Sequence, residues 1–295
     1  MAYARPANSS NPTLFVIVMD QSGSMAQVWA KNPPLPKSHA LADIVNRLIS
    51  ELAKTCISGS VVKDRIHLSL IGYGGVGGTR SIWSGPLSGR EVVSISQAYA
   101  NPLQTLKKKV KIPDGGGGLL EVDQDFQVWI TPEEHGGTPT AEALDLAAQI
   151  IDKWTSDPAE GGRNANSFPP IVCHVTDGMP NNEASARSSA QKLTSLRTSD
   201  GNVLLVNIHI SDQVGNEYGY AVTESDLPLG DAQAKFLFDI SSSIPTELME
   251  SAQGAGLPVR AGSRLMIGNA DAVGVISLLS FASTAGSKVA TEPVG

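Results

Sequence analysis

The sequence predicts an α/β fold, a doubly wound and mainly parallel sheet with helices on both faces. Two observations lead to it. Short apolar runs end abruptly in an acidic residue, as LFVIVM (14–19) does at Asp20 and IVCHVT (171–176) does at Asp177. Stretches with helical periodicity fall between such runs. Strands alternating with amphipathic helices build right-handed βαβ units, which cover both faces of a parallel sheet.

Each element follows in order. The run 14–19 is continuously apolar and rich in β-branched residues, as a strand buried on both faces requires. After prolines 33, 34 and 36, Leu41, Ile44, Val45, Leu48, Ile49 and Leu52 share one helical face. IHLSLI (66–71) is a second strand. The segment at about 72–124 is rich in Gly and Pro and reads as a loop-rich insertion, with short strands near 81–83 and 91–95. A further strand is expected near 126–130. Leu144, Ala147, Ala148 and Ile151 mark a helix over about 140–154, and Ala186, Ala190, Leu193 and Leu196 mark another. VLLVNIHI (203–210) is a buried strand, FLFDI (236–240) is expected as the last strand, and helices are expected near 246–253 and 269–281. The whole is expected to be a single domain over 13–285 with extra C-terminal helices, and with 1–12 and 286–295 as flexible termini.

Composition narrows the function. The chain has 295 residues, 41% hydrophobic and 17% charged, with 22 basic against 29 acidic side chains and a net charge of −7. High apolar content and a small net charge per residue argue against disorder. The acidic balance argues against nucleic-acid or anionic-membrane binding, since both need a basic surface. Two cysteines, Cys56 and Cys173, cannot build a disulfide scaffold or a four-cysteine zinc site. The apolar stretch 273–282 is about half of the ~20 residues that a membrane span needs. The first ten residues contain no apolar run, so neither a secretory signal nor a membrane partner is expected, and the protein is expected to be cytoplasmic.

The chemistry concentrates at predicted strand ends, where open α/β sheets bind ligands. Asp20-Gln-Ser22-Gly-Ser24 follows the first strand, Gly136-Gly-Thr138-Pro-Thr140 enters a helix, and Thr176-Asp177-Gly178 follows the 171–176 strand. Two carboxylates and three hydroxyls form a hard oxygen set, suited to Mg²⁺ or Mn²⁺ and poor for zinc. Asp20-x-Ser22-x-Ser24, Gly-Gly-Thr138 and Thr-Asp177-Gly together resemble the metal-ion-dependent adhesion site of von Willebrand factor type A domains. The resemblance covers about residues 13–240. It implies that Ser22, Ser24 and Thr138 ligate the metal, while Asp20 and Asp177 act directly or through water. The wording around 19–25 and 175–180 is similar to intracellular bacterial members such as the tellurite-resistance type, often encoded beside kinases and phosphatases.

Competing motifs are weaker. Gly72-Tyr-Gly74-Gly-Val-Gly77 satisfies G-x-G-x-x-G, but the following Gly78, Thr79, Gly85 and Pro86 do not suit the helix that a dinucleotide site requires. No P-loop occurs. Aspartyl-phosphate enzymes usually carry an acid two residues after their nucleophile, where this chain has Ser22. Neither serine fits G-x-S-x-G. His67, His174 and His209 read as core or rim residues, whereas His135 adjoins the proposed metal loop. Lys107, Lys108, Lys109 and Lys111 form a small basic patch, read as a solvated face. The expectation is a non-catalytic interaction module whose Mg²⁺ or Mn²⁺ accepts a Glu or Asp from a protein partner. That partner is expected in a bacterial stress, signalling or defence complex, as a kinase, phosphatase or ATPase encoded nearby. The alternatives are a Mg-dependent phosphohydrolase at Asp20 and Asp177, and a substrate-delivering subunit of an AAA-type ATPase.

Overall fold

In the computed structural model, which describes residues 2–29, 34–113, 118–158, 161–210, 218–220, 223–254 and 258–268, strand β1 (Thr13–Asp20) runs through the centre. All of its residues are buried, so neither face leaves room for a charged side chain before Asp20. The pleat sends Phe15, Ile17 and Met19 to one face and Leu14, Val16 and Val18 to the other. The first face packs against α1 (Lys37–Thr55), α2 (Ile95–Ala100) and α6 (Thr246–Gly254). The second packs against α3 (Thr140–Ser156), α4 (Glu183–Ser195) and α5 (Ala232–Ile240). The six apolar positions that predicted α1 are all buried.

Strand β2 (Ile66–Tyr73) lies parallel to β1 on one side, with Tyr73 opposite Asp20. Short antiparallel strands β3 (Arg80–Ser81) and β4 (Val93–Ser94) pair with β2. The segment expected to be loop-rich is more regular than its glycines suggest. It holds α2, closed by a capping box between Ser94 and Gln97, and a hairpin of β5 (Gln104–Pro113) and β6 (Leu119–Val128) outside the main sheet. The lysine patch lies on β5, where Lys107 pairs with Asp125 and Lys109 with Glu121 on the partner strand. Lys108 reaches Asp43 of α1 and stands over the Phe126 ring.

On the other side of β1 come β7 (Ile171–Thr176) and β8 (Leu204–His209), both parallel, then β10 (Met266–Gly268), also parallel, with β9 (Tyr218–Tyr220) antiparallel at the edge. Among the described residues the sheet order is β9-β10-β8-β7-β1-β2-β3 with β4 beside β2. One expectation is overturned: residues 236–240 are not a strand but the end of α5. Asp231 caps that helix by accepting from the Ala234 amide at 2.9 Å. A five-residue run with four apolar side chains shows no period of its own, and the cap decides its conformation. The strand beside β8 is supplied by β10 instead. Helix α6 lies where 246–253 was expected, whereas the helix expected at 269–281 and the 286–295 tail fall outside the described residues. Near the N-terminus, expected to be flexible, the amides of Ala4 and Arg5 donate to the Asp200 carboxylate. Among the described residues no helix is long and apolar enough to cross a membrane.

A buried polar line crosses the second face of the sheet. The Tyr73 hydroxyl stands 2.7 Å from His174 Nε2, and His174 Nδ1 stands 2.8 Å from Asn207 Oδ1. Asn207 Nδ2 donates onward to Ser241 Oγ at 2.9 Å, just past α5. With the Asn207 amide donating to Ser241, its oxygen faces His174. The imidazole proton therefore sits on Nδ1, and Nε2 accepts from Tyr73.

Candidate metal centre

The chain leaves β1 for β2 on one side and later fills the other side with β7. The crevice beyond the carboxyl ends of β1 and β7 is therefore a topological switch point. Parallel register brings Met19 opposite Val175, so Asp20 and Asp177 emerge from neighbouring strand ends.

Asp20 is almost fully buried, and both of its oxygens are engaged. Oδ1 accepts from the Ser22 amide at 2.8 Å, a local turn that folds the chain back after the strand, and Oδ2 accepts from Thr176 Oγ1 at 2.6 Å. The turn places Ser22 Oγ 3.0 Å from Ser24 Oγ, and Ser24 Oγ donates to Asp177 Oδ1 at 2.6 Å. Thr138 is fixed by reciprocal bonds with Asn181. Its amide donates to Asn181 Oδ1 at 2.9 Å, and the Asn181 amide donates to the Thr138 carbonyl at 2.9 Å. A Cβ added to Gly178 would stand 3.6 Å from Thr138 Oγ1 and 3.9 Å from Ser24 Oγ. Hydroxyls from two distant segments thus flank the glycine that follows Asp177. The five residues named from sequence, Asp20, Ser22, Ser24, Thr138 and Asp177, are brought to one place.

Glycines let the segments approach. Gly74 has φ +87°, and a Cβ there would lie 2.4 Å from the Gly137 carbonyl and 2.9 Å from the Ser22 amide. The Gly23 amide donates to the Gly136 carbonyl at 3.0 Å, and the His135 amide donates to the Gln21 carbonyl at 2.7 Å. The GxGxxG stretch thus serves as a turn beneath the 136–138 loop, and an antiparallel strand follows it, not a helix.

The roles of three contributors were not foreseen. Thr176 and Asn181 fix Asp20 and Thr138. The third is Lys37, the first residue of α1, whose Nζ stands 2.9 Å from Asp177 Oδ2, its side chain only 3% exposed. A cation at a helix N-terminus opposes the helix dipole, and the first turn of α1 contains no acid. That mismatch is the one sequence signal that could have drawn attention to Lys37. The expected core histidines are buried: His67 accepts from Trp154 Nε1 at 2.9 Å, and His174 and His209 lie inside the sheet region.

Electrostatics favour a cation here. Burial raises the pKa of Asp20, the negative charge of Asp177 adds to the rise, and hydrogen bonds from Ser22 and Thr176 oppose it. Two carboxylates and three hydroxyls could hold a hard divalent ion, which prefers oxygen ligands. Among the described residues no group of three or more His, Cys, Asp or Glu is placed to hold a metal. A centre at this position would therefore rest mainly on hydroxyls.

No family model and no curated protein matches the chain. Solved structures do. The pilus adhesin SpaC from Lactobacillus rhamnosus GG is 13% identical with a TM-score of 0.51, over 96% of this chain and 32% of that one. The manganese-loaded Plasmodium vivax TRAP protein is 16% identical with a TM-score of 0.43, over 92% of this chain and 74% of that one. Proximal thread matrix protein 1 from the mussel byssus is 14% identical with a TM-score of 0.45, over 96% and 50%. The chain thus spans about a third of the adhesin and half of the byssus protein. The likeness concerns the fold alone: a mixed, mostly parallel Rossmann-like α/β sheet with helices on both faces.

Proposed function

We propose that this protein is a divalent-metal-dependent interaction module, with Ser22, Ser24 and Thr138 holding the ion and Asp20 and Asp177 balancing its charge. The observation that carries the reading is the convergence of these side chains at the β1–β7 switch point, with Ser24 Oγ bonded to Asp177 Oδ1 at 2.6 Å. When bound, the ion supplies a Lewis-acidic position that a carboxylate from another protein can fill. The chain's own part is positional. Asp20 holds the 20–22 turn, Asn181 holds Thr138, and the glycines at 74, 136 and 137 keep the loops close.

In this reading the ion is Mg²⁺ or Mn²⁺, and the ligand is a Glu or Asp of a protein partner. The partner belongs to a bacterial stress, signalling or defence complex, and is to be sought among kinases, phosphatases and ATPases encoded nearby, as for tellurite-resistance-type proteins. The site is non-catalytic. Ser22, which stands where an aspartyl-phosphate enzyme would carry its second acid, bonds to Ser24. Affinity capture from the native host, run with Mg²⁺ and with EDTA, tests the proposal. Partners retained only with Mg²⁺, and lost with Asp20→Ala, are expected. Identical captures in both buffers would refute it, and metal-dependent phosphatase turnover abolished by Asp20→Asn would favour the phosphohydrolase.

A further inference from the structure

We infer that Lys37 is a positioning residue that holds Asp177 back from direct metal coordination and so weakens the binding of the ion. The inference rests on the metal reading above. Both oxygens of Asp177 are engaged: Oδ1 accepts from Ser24 Oγ at 2.6 Å and Oδ2 from Lys37 Nζ at 2.9 Å. The pair is shut off from water, with side-chain exposures of 3% for Lys37 and 1% for Asp177. Solvent therefore does little to screen it.

Gln27 grips the lysine at both ends. The Lys37 amide donates to the Gln27 carbonyl at 3.0 Å, and Lys37 Nζ lies 3.3 Å from Gln27 Oε1. Neither burial nor the helix favours this placement. A buried ion pair is no more stabilising than well-packed apolar side chains, and a cation at a helix N-terminus is opposed by the dipole. What the arrangement does is geometric. Each Asp177 oxygen keeps a further lone pair, but the ammonium 2.9 Å from Oδ2 pins the carboxylate and repels a second cation, so direct ligation by Asp177 works against Lys37. While Lys37 holds Oδ2, part of the Asp177 charge is already matched by a cation tethered to the chain. The ion then receives less negative charge from the protein and keeps more of its attraction for an incoming carboxylate.

The probe is Mn²⁺ alone, titrated into the full chain by calorimetry and followed by thermal melting. Lys37→Met is expected to lower the Mn²⁺ dissociation constant at least tenfold and to show a larger Mn²⁺-induced rise in Tm than wild type. Lys37→Arg, which keeps the charge, is expected to stay within threefold of wild type. Lys37→Met leaves the Asp177 carboxylate buried without its ammonium and will be less stable in EDTA. The double variant Lys37→Met/Asp177→Asn removes both charges, and is expected to recover that stability and bind no tighter than wild type. Mn²⁺ affinity in Lys37→Met equal to or weaker than wild type would overturn the inference, as would failure of that variant to fold at saturating Mn²⁺. If wild type still binds Mn²⁺ and Asp20→Ala does not, the metal reading survives that outcome. Absence of Mn²⁺ binding in wild type and Lys37→Met alike would overturn both.

Discussion

Acid should destabilise this protein in part through one buried side chain, His174. It is fully enclosed between Tyr73 and Asn207, and burial lowers its pKa from 6.5 to about 4, the Asn207 hydrogen bond working the other way. Between those values the unfolded chain binds a proton that the folded chain refuses. The stability this group contributes is therefore complete above pH 6.5 and is lost as the pH falls toward 4. At about pH 4.5 the loss is nearly two pH units of linkage, or about 2.5 kcal/mol. Urea unfolding of wild type and His174→Gln, at about pH 7.5 and about pH 4.5, isolates this contribution because glutamine does not titrate in that range. Wild type should lose about 2.5 kcal/mol more than the variant across that interval. Equal losses in the two proteins would refute the neutral, proton-excluding imidazole.

Three further perturbations test local supports of the fold, the first of them beneath the site. Gly74→Ala forces a Cβ to within 2.4 Å of the Gly137 carbonyl at φ +87°, whereas Gly78→Ala, at φ +68°, meets nothing within 4 Å. The first should cost more than the ~1–2 kcal/mol of left-handed strain expected for the second, and thermal melts of both check the order. Asn46→Ala removes bonds to the Trp129 and Ile130 amides at 2.8 and 3.2 Å and to the Ile130 carbonyl at 3.1 Å. With these buried groups orphaned, denaturant unfolding should show a loss of about 3 kcal/mol. Asp231→Ala removes the α5 cap and should cost about 1 kcal/mol, read as faster amide hydrogen exchange in α5.

The parts of the fold that were legible in the sequence are those where one physical signal dominates. The run 14–19 has no side to expose, and Leu41 to Leu52 repeat with the helical period, so β1 and α1 could be read directly. FLFDI at 236–240 carries no period, and its conformation is set by Asp231, five residues upstream of the run. The β5–β6 hairpin was hidden because lysines interrupt the apolar alternation of β5 and acids that of β6. Their cross-strand pairing becomes visible only when the strands are placed together. The candidate site divides in the same way. Asp20, Ser22, Ser24, Thr138 and Asp177 lie in short segments whose spacing carries a pattern. Lys37 meets Asp177 across 140 positions, and Gly74 meets Ser22 and Gly137 from a turn that resembles another motif. Contacts of that kind are made by the topology and leave no local mark.

The central claim is that these five oxygen-bearing side chains hold a divalent ion. Calorimetric titration of Mn²⁺ and Mg²⁺ into wild type, Asp20→Ala and Thr138→Ala tests it most directly, with circular dichroism confirming that each variant is folded. The account predicts one saturable site in wild type, lost in Asp20→Ala and weakened at least tenfold in Thr138→Ala. Unchanged binding in both folded variants, or no binding by wild type, would contradict it.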